Sequence, residues 1–318
     1  MTSQRPLDGI TVLAFEHAVA APVCTRHLAD QGARVIKIER PGVGDFARAY
    51  DQRVAGQSSY FVWANRSKES LTLDVKHPEA RPIVDALVAR ADVLVQNLAP
   101  GAAARLGLSY EALAPKHPRL VVCDISGYGD DGPYRDKKAY DLMVQAEAGL
   151  LAATGRGDVI ARAGFSAADV SAGMYAYSGI LSALLLRERT GQGSRVDVAM
   201  LESLTEWMGN PMYFTFDGQP PAPRSGPAHP SLAPYRPVTL DDGHTVLLGV
   251  QNEREWQRFC TEVLGDAALA QDPRFANNTE RTANRALLDE MIAARFAGLG
   301  VEAVEARLDA AGIATARV

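Results

Sequence analysis

Asp169 stands where the chain turns from polar to apolar: residues 170–186 carry no charge, and Arg187 closes the run. An Asp at such a boundary reads first as a helix N-cap, a role that contributes about 1 kcal/mol. The same placement suits chemistry. The positive end of a helix favours an anion, and an apolar surrounding strips water from it. An ionised, poorly hydrated carboxylate is a nucleophile toward an activated acyl group. A second constellation is cationic. Arg40 follows the apolar segment 33–39, Asn97 and Arg105 follow segment 92–98, and Arg48, Arg66 and Lys68 lie between them. Open α/β sheets bind ligands at the carboxyl ends of their strands, so cations there suit a phosphorylated ligand such as a nucleotide. Taken singly, each cation reads as a solvated surface charge.

Gly127, Gly129 and Gly132 match the GxGxxG spacing after an apolar segment. A dinucleotide fingerprint needs a helix to open at that point. Pro133, directly after the third glycine, argues instead for a flexible loop beside a site. His17 ends the first apolar segment, with Glu16 before it, and His229 lies in a Pro/Gly-rich stretch. Neither histidine has an assignable partner, so both read as structural. The sequence contains no GxSxG elbow, no HExxH and no P-loop.

The 318 residues are 47% hydrophobic and 22% charged, with a net charge of −5. That composition is ordinary for a soluble protein and lacks the basic excess of a nucleic-acid binder. An anionic ligand must then be held by local Arg and Lys. Three scattered cysteines, Cys24, Cys123 and Cys260, form no CxxC pair and suggest neither zinc nor disulfides. A reducing, cytoplasmic setting fits them. The first residues, MTSQRPLDG, lack the apolar core of a signal peptide. The run 170–186 is short for a membrane span and carries five Ser and Gly residues, so it predicts a buried helix.

These residues need elements to position them. Apolar segments at 10–15, 33–39, 70–75, 92–98 and 119–126 read as strands, with helical patterns at 22–30 and 77–91. Strands alternating with helices predict a parallel sheet covered on both faces. A large α/β domain, doubly wound and Rossmann-like, is expected over 1–216. Residues 169–189 predict a helix apolar nearly all round and therefore central. Residues 194–200 predict a further strand. A linker is expected at 217–237, from its Pro and Gly content. Residues 238–318 predict a smaller, mostly helical α+β domain, with a strand at 245–250 and helices at 253–264, 284–299 and 301–311.

Several stretches resemble class III coenzyme A transferases (CaiB/BaiF type). They are PLDGITVLAFEHAVAAP at 6–22, LADQGARVIKIERPGVGDFAR at 28–48, NRSKESLTLDVK at 65–76, NLAPGAAARLGL at 97–108, ISGYGDDGPY at 125–134 and KKAYD at 137–141. AADVSAGMYAYSGILSALLLRERTGQG at 167–193, GPAHPSLAPY at 226–235 and ERT at 280–282 continue the likeness. The resemblance implies that Asp169 is the catalytic aspartate. It implies that Arg40, Leu71, Asn97, Leu98, Arg105, Lys138 and Tyr140 bind coenzyme A, which serves as a substrate without any prosthetic group. It implies an interlocked homodimer of ring-shaped subunits, with no membrane or nucleic-acid partner.

Two departures shape the expected activity. Val19 stands where formyl-CoA transferase has a glutamine near the acyl group. Tyr140 stands where α-methylacyl-CoA racemases have a second acid/base histidine, which argues for transfer over racemisation. The stretches 14–22, 44–51 and 226–235 look most like members acting on small dicarboxylic acids, such as mesaconyl-CoA C1–C4 and succinyl-CoA-dependent transferases. Arg48 is then the expected partner of a distal carboxylate. Family members continue past the segment matching 312–318, so a returning C-terminal segment is expected to be missing here. The alternatives are racemase-like proton transfer and a non-catalytic coenzyme A-binding fragment.

Overall fold

The computed structural model describes residues 4–318. The chain divides into two compact units, one running through Ala152 and including Arg162–Gln219, the other made of Ala153–Ala161 and Pro220–Val318.

The first unit is built on six strands: β1 (Thr11–Phe15), β2 (Arg34–Glu39), β3 (Lys68–Thr72), β4 (Val93–Gln96), β5 (Val121–Ser126) and β6 (Arg195–Ala199). All pair in parallel, in the order β3-β2-β1-β4-β5-β6. The central strands are apolar on both faces. Val12, Ala14, Val93 and Val95 face one core cluster, and Leu13, Phe15 and Leu94 face another. One side is covered by α1 (Ala20–Asp30); the short α2 (Ser59–Asn65) follows later, and α3 (Ala80–Val88) covers the opposite side. After α4 (Asp141–Glu147) come α5 (Ala167–Thr190) and α6 (Met200–Trp207), which join α1 on its face. The doubly wound expectation holds. The strand order reverses between β1 and β4, which opens a crevice at their carboxyl ends.

Helix α5 differs from its sequence expectation in two ways. Its N-cap is Ser166, so Asp169 is the third helical residue and not the cap. Gly191 closes the helix in the left-handed conformation, as its position suggested. Beyond the first two turns, burial follows a stripe through Ala176, Ile180, Ala183, Leu184 and Arg187, while Leu185 is 58% and Leu186 48% exposed. The helix is apolar all round but buried on one side only. By length and composition it is the one helix among the described residues that could cross a membrane. Its stripe packs on α1, and Gly173 lets the two approach closely: a Cβ there would lie 2.7 Å from the Ala20 carbonyl oxygen.

The second unit holds an antiparallel sheet of β7 (Tyr235–Thr239), β8 (Thr245–Gly249) and β9 (Ala314–Arg317), with β8 in the middle. Helices α7 (Glu253–Arg258), α8 (Arg285–Phe296) and α9 (Val301–Ala310) surround a core of Trp256, Phe259, Phe275 and Phe296. Strand β7 begins inside the Pro/Gly-rich stretch, whose composition hides it. Pro237 is tolerated because β7 pairs on one side only. Arg281 is buried and staples this unit, donating to both Glu253 oxygens and to the carbonyls of Ala233 and Phe275.

Candidate active site

The carboxyl end of β1 runs through His17, Ala18 and Val19 into α1. Ala18 has φ of 64°, a left-handed conformation that a non-glycine residue holds only under local constraint. Its N–H donates to Asp45 Oδ1 at 3.1 Å, while Lys37 Nζ donates to Asp45 Oδ2 at 2.7 Å. Lys68 Nζ donates to Glu16 Oε1 at 2.7 Å, and Thr25 donates to Glu16 Oε2 at 2.6 Å. Two acids and two amines thus neutralise one another in a buried network beneath the loop. From β4, Asn97 clamps the same loop: its Oδ1 accepts the His17 N–H at 3.0 Å and its Nδ2 donates to the His17 carbonyl at 2.9 Å.

Three expected ligand cations are committed elsewhere. Lys68 is buried against Glu16, Arg66 pairs with Asp30 at 2.6 Å, and Arg48 donates to both oxygens of Glu39 at 2.9 and 2.7 Å. Arg48 also lies over the Phe61 ring at 3.7 Å from its centroid. Burial alone would raise Glu39, yet the bonds from Arg48 and Ser70 bring it down to about 2. Arg48 is therefore a partner of Glu39, not a free anchor for a substrate carboxylate. Asp30 and Glu16 lie 36 and 52 residues from the cations they claim, and even Glu39 meets Arg48 only across a loop, which is why pattern alone missed them.

A cavity of about 1180 Å³ gathers Val19, Asn97, Leu98, Lys138, Tyr140 and Asp169 in its wall. Arg40, Leu71 and Arg105 are not part of that lining. Leu71 packs its half-buried side chain on the core. Arg40 and Arg105 are exposed and make no ion pair among the described residues; Arg105 directly follows the lining residues Ala103 and Ala104. The glycine loop 127–132 forms another stretch of wall, and no helix opens on it, since the next begins at Asp141. Gly127 is required by contact: a Cβ there would sit 2.2 Å from the Ala139 Cβ. In the second unit, His229 stacks on Tyr235 with ring centroids 5.3 Å apart, a packing role.

Asp169 is half-buried, and its carboxylate has no hydrogen-bond or ion-pair partner among the described residues. Burial, and then the charge of Asp141, push it up to about 7. The helix end was expected to favour ionised Asp169. Burial and the Asp141 charge act against that, and the N–H groups of Ala168 and Asp169 donate to Asp141 Oδ1 at 2.8 and 3.2 Å, not to Asp169. Sequence reading gave no role to Asp141 or to Tyr50. The Tyr50 phenol lines the cavity and is raised to about 12 by its burial and by Asp169. The closely spaced aromatics Phe46, Tyr50, Tyr60, Phe61 and Trp63 were the available signal.

Residues 7–318 match the model of CoA-transferase family III. The chain belongs to that family. Family III members take CoA thioesters as substrates, and this chain is an enzyme of that class. It is 40% identical to the acetyl-CoA:oxalate CoA-transferase of Acetobacter aceti, over 88% of this chain and 72% of the relative. It is 37% identical to the succinate–glutarate CoA-transferase of Agrobacterium fabrum, over 90% and 73%. A CaiB/BaiF family protein of Brucella suis superposes with a TM-score of 0.86 at 35% identity, covering 98% of this chain and 84% of that one.

Proposed function

We propose that this CoA-transferase moves coenzyme A from a CoA thioester to a small dicarboxylic acid through covalent intermediates on Asp169. The observation that carries the reading is a recessed carboxylate without a partner among the described residues, facing a cavity that can take an elongated ligand. Ionised Asp169 attacks the thioester carbonyl and expels the CoA thiolate, leaving an aspartyl–acyl anhydride. The thiolate attacks the aspartyl carbonyl, which releases the donor carboxylate and leaves an aspartyl–CoA thioester. The acceptor carboxylate attacks that thioester and expels the thiolate again, forming a second anhydride. The thiolate then attacks its acyl carbonyl, giving the new acyl-CoA and free Asp169. Covalent catalysis divides one hard displacement into easier steps, and a retained thiolate attacks as if intramolecular.

For coenzyme A, Lys138, Arg40 and Arg105 offer unpaired positive charge, Leu98 and Leu71 apolar contact, and Tyr140 a ring beside Lys138. The Asn97 side chain acts through the loop that it clamps. Relatives named for oxalate, glutarate, succinate and D-citramalate support a dicarboxylate. Homodimerisation fits the apolar side chains left open on this chain, among them Tyr213 at 69%, Phe216 at 66% and Leu185 at 58% exposure.

The raised Asp169 also suits a base for α-proton transfer, so the test separates the two. The protein is incubated with succinyl-CoA and digested. A CoA-sized adduct on the Asp169 peptide, absent from Asp169→Ala, is the expected result. No adduct, together with deuterium uptake at the α-carbon in heavy water, would overturn transfer in favour of proton exchange.

A further inference from the structure

Helices α4 and α5 meet through a buried polar junction. Asp141 Oδ1 accepts the N–H groups of Ala168 and Asp169, and Asp141 Oδ2 accepts from Gln145 Nε2 at 2.7 Å. Gln145 is fully buried; its Oε1 accepts the Ala163 N–H at 3.1 Å and its Nε2 also reaches the Phe165 carbonyl at 3.3 Å. Four backbone groups between positions 163 and 169 are thus held by two side chains from one helix. The Val170 N–H donates to the Ser166 carbonyl at 2.9 Å, so the first turn of α5 offers no spare donor at these positions. A helix start normally solvates a nearby carboxylate with such N–H groups. Here another carboxylate has taken them.

We propose that Asp141 is a positioning residue for the reaction: with Gln145 it fixes the first turn of α5 and withholds that turn's N–H groups from the Asp169 carboxylate. The nucleophile is then left poorly solvated, and poor solvation raises the reactivity of an anion toward an acyl carbon. The inference rests on the proposed nucleophilic role of Asp169. Burial raises Asp141 itself, and its bonds to the two N–H groups, Gln145 and the charge of Arg162 act against that rise. Tyr50, Tyr140, Lys138 and His17 are among the other titratable groups lining the same cavity, which also takes in Glu111, Asp124, Asp130, Asp136 and Asp197 and the cations Lys137, Arg135, Arg162 and Arg195.

The test is the rate of Asp169 adduct formation from succinyl-CoA against pH, for the wild type, Asp141→Asn and Asp141→Glu. An asparagine oxygen can still accept the two N–H groups, but the charge is gone. The acid limb, near pH 7 in the wild type from Asp169, is expected to move down by about half a unit or more in Asp141→Asn. Asp141→Glu keeps the charge, so its limb should stay in place while its plateau rate falls, because the longer side chain misplaces the turn. An Asp141→Glu plateau rate equal to that of the wild type overturns the proposal, because the turn would then not depend on this side chain. Should Asp141→Asn not fold, carbon-13 titration of the wild-type aspartate carboxyls decides: Asp169 titrating near 4 overturns it. Loss of the adduct in the wild type would instead overturn the nucleophilic reading itself.

Discussion

The proposed chemical role of Asp169 comes with a cost to folding. Its folded value of about 7 lies above its ordinary 3.8, so the folded chain favours the neutral acid. The stability tied to that neutral form is present below pH 4 and is lost as pH rises toward 7. Above that, a desolvated charge remains. Asp169→Asn is therefore expected to abolish the adduct and yet raise stability at pH 8, by about 1–2 kcal/mol. That corresponds to about 2–4 °C of melting temperature per kcal/mol in a chain of this size. No such gain should appear at pH 4; equal gains at both values would sink the argument. Asn97 works differently. Asn97→Ala leaves both backbone groups of His17 without partners, at an expected cost of about 1–3 kcal/mol in denaturant unfolding. Because Val19 and the start of α1 move with that loop, KM for the CoA thioester should rise as well.

At the scale of elements, the site depends on two close approaches that only glycine permits. Gly173 lets α5 cross α1, with Val23 and the Ala20 carbonyl within 3.1 Å of a built Cβ. Gly173→Ala must push the helices apart and is expected to destabilise by about 1–3 kcal/mol. The readout is a thermal melt with coenzyme A titration beside it. Gly127 lets the loop 127–132 lie against Ala139, next to Lys138 and Tyr140. Gly127→Ala must push the loop off Ala139 and is expected to destabilise by about 1–3 kcal/mol while weakening coenzyme A binding about tenfold or more, since the clash falls on cavity wall. Unchanged affinity would mean that this loop does not contact the ligand. The helical segment α4 matters as much as the loop, because it supplies the cap of α5 from outside that helix.

For the whole molecule, the open question raised by the surface is what covers it. A helix with an apolar side that nothing among the described residues buries, together with exposed aromatics at Tyr213 and Phe216, favours association over a monomer. The proposed homodimer predicts twice the 34.1 kDa chain mass in sedimentation equilibrium. Tyr213→Asp combined with Phe216→Asp should shift that mass toward one chain. A single-chain mass for the unaltered protein at micromolar concentration would remove the proposal.

The alternation of apolar strands and amphipathic helices was legible in the sequence, because a parallel sheet buried on both faces requires continuous apolar runs. So was Asp169, because its boundary position and the motif around it are both local features. The fate of the cations was not legible. Arg48, Arg66 and Lys68 resemble ligand-binding residues until tertiary contacts bring Glu39, Asp30 and Glu16 to them. The surroundings of Asp169 were not legible for the same reason: a helix start favours an anion most when its donors are free, and Asp141, 28 residues away, occupies two of them. The sequence by itself determined the strands, the main helices and the position of the proposed nucleophile, since these follow from patterns along the chain. Only the tertiary structure decided which charges cancel, which donors are spent and how well that nucleophile is solvated, because electrostatics depends on distance in space.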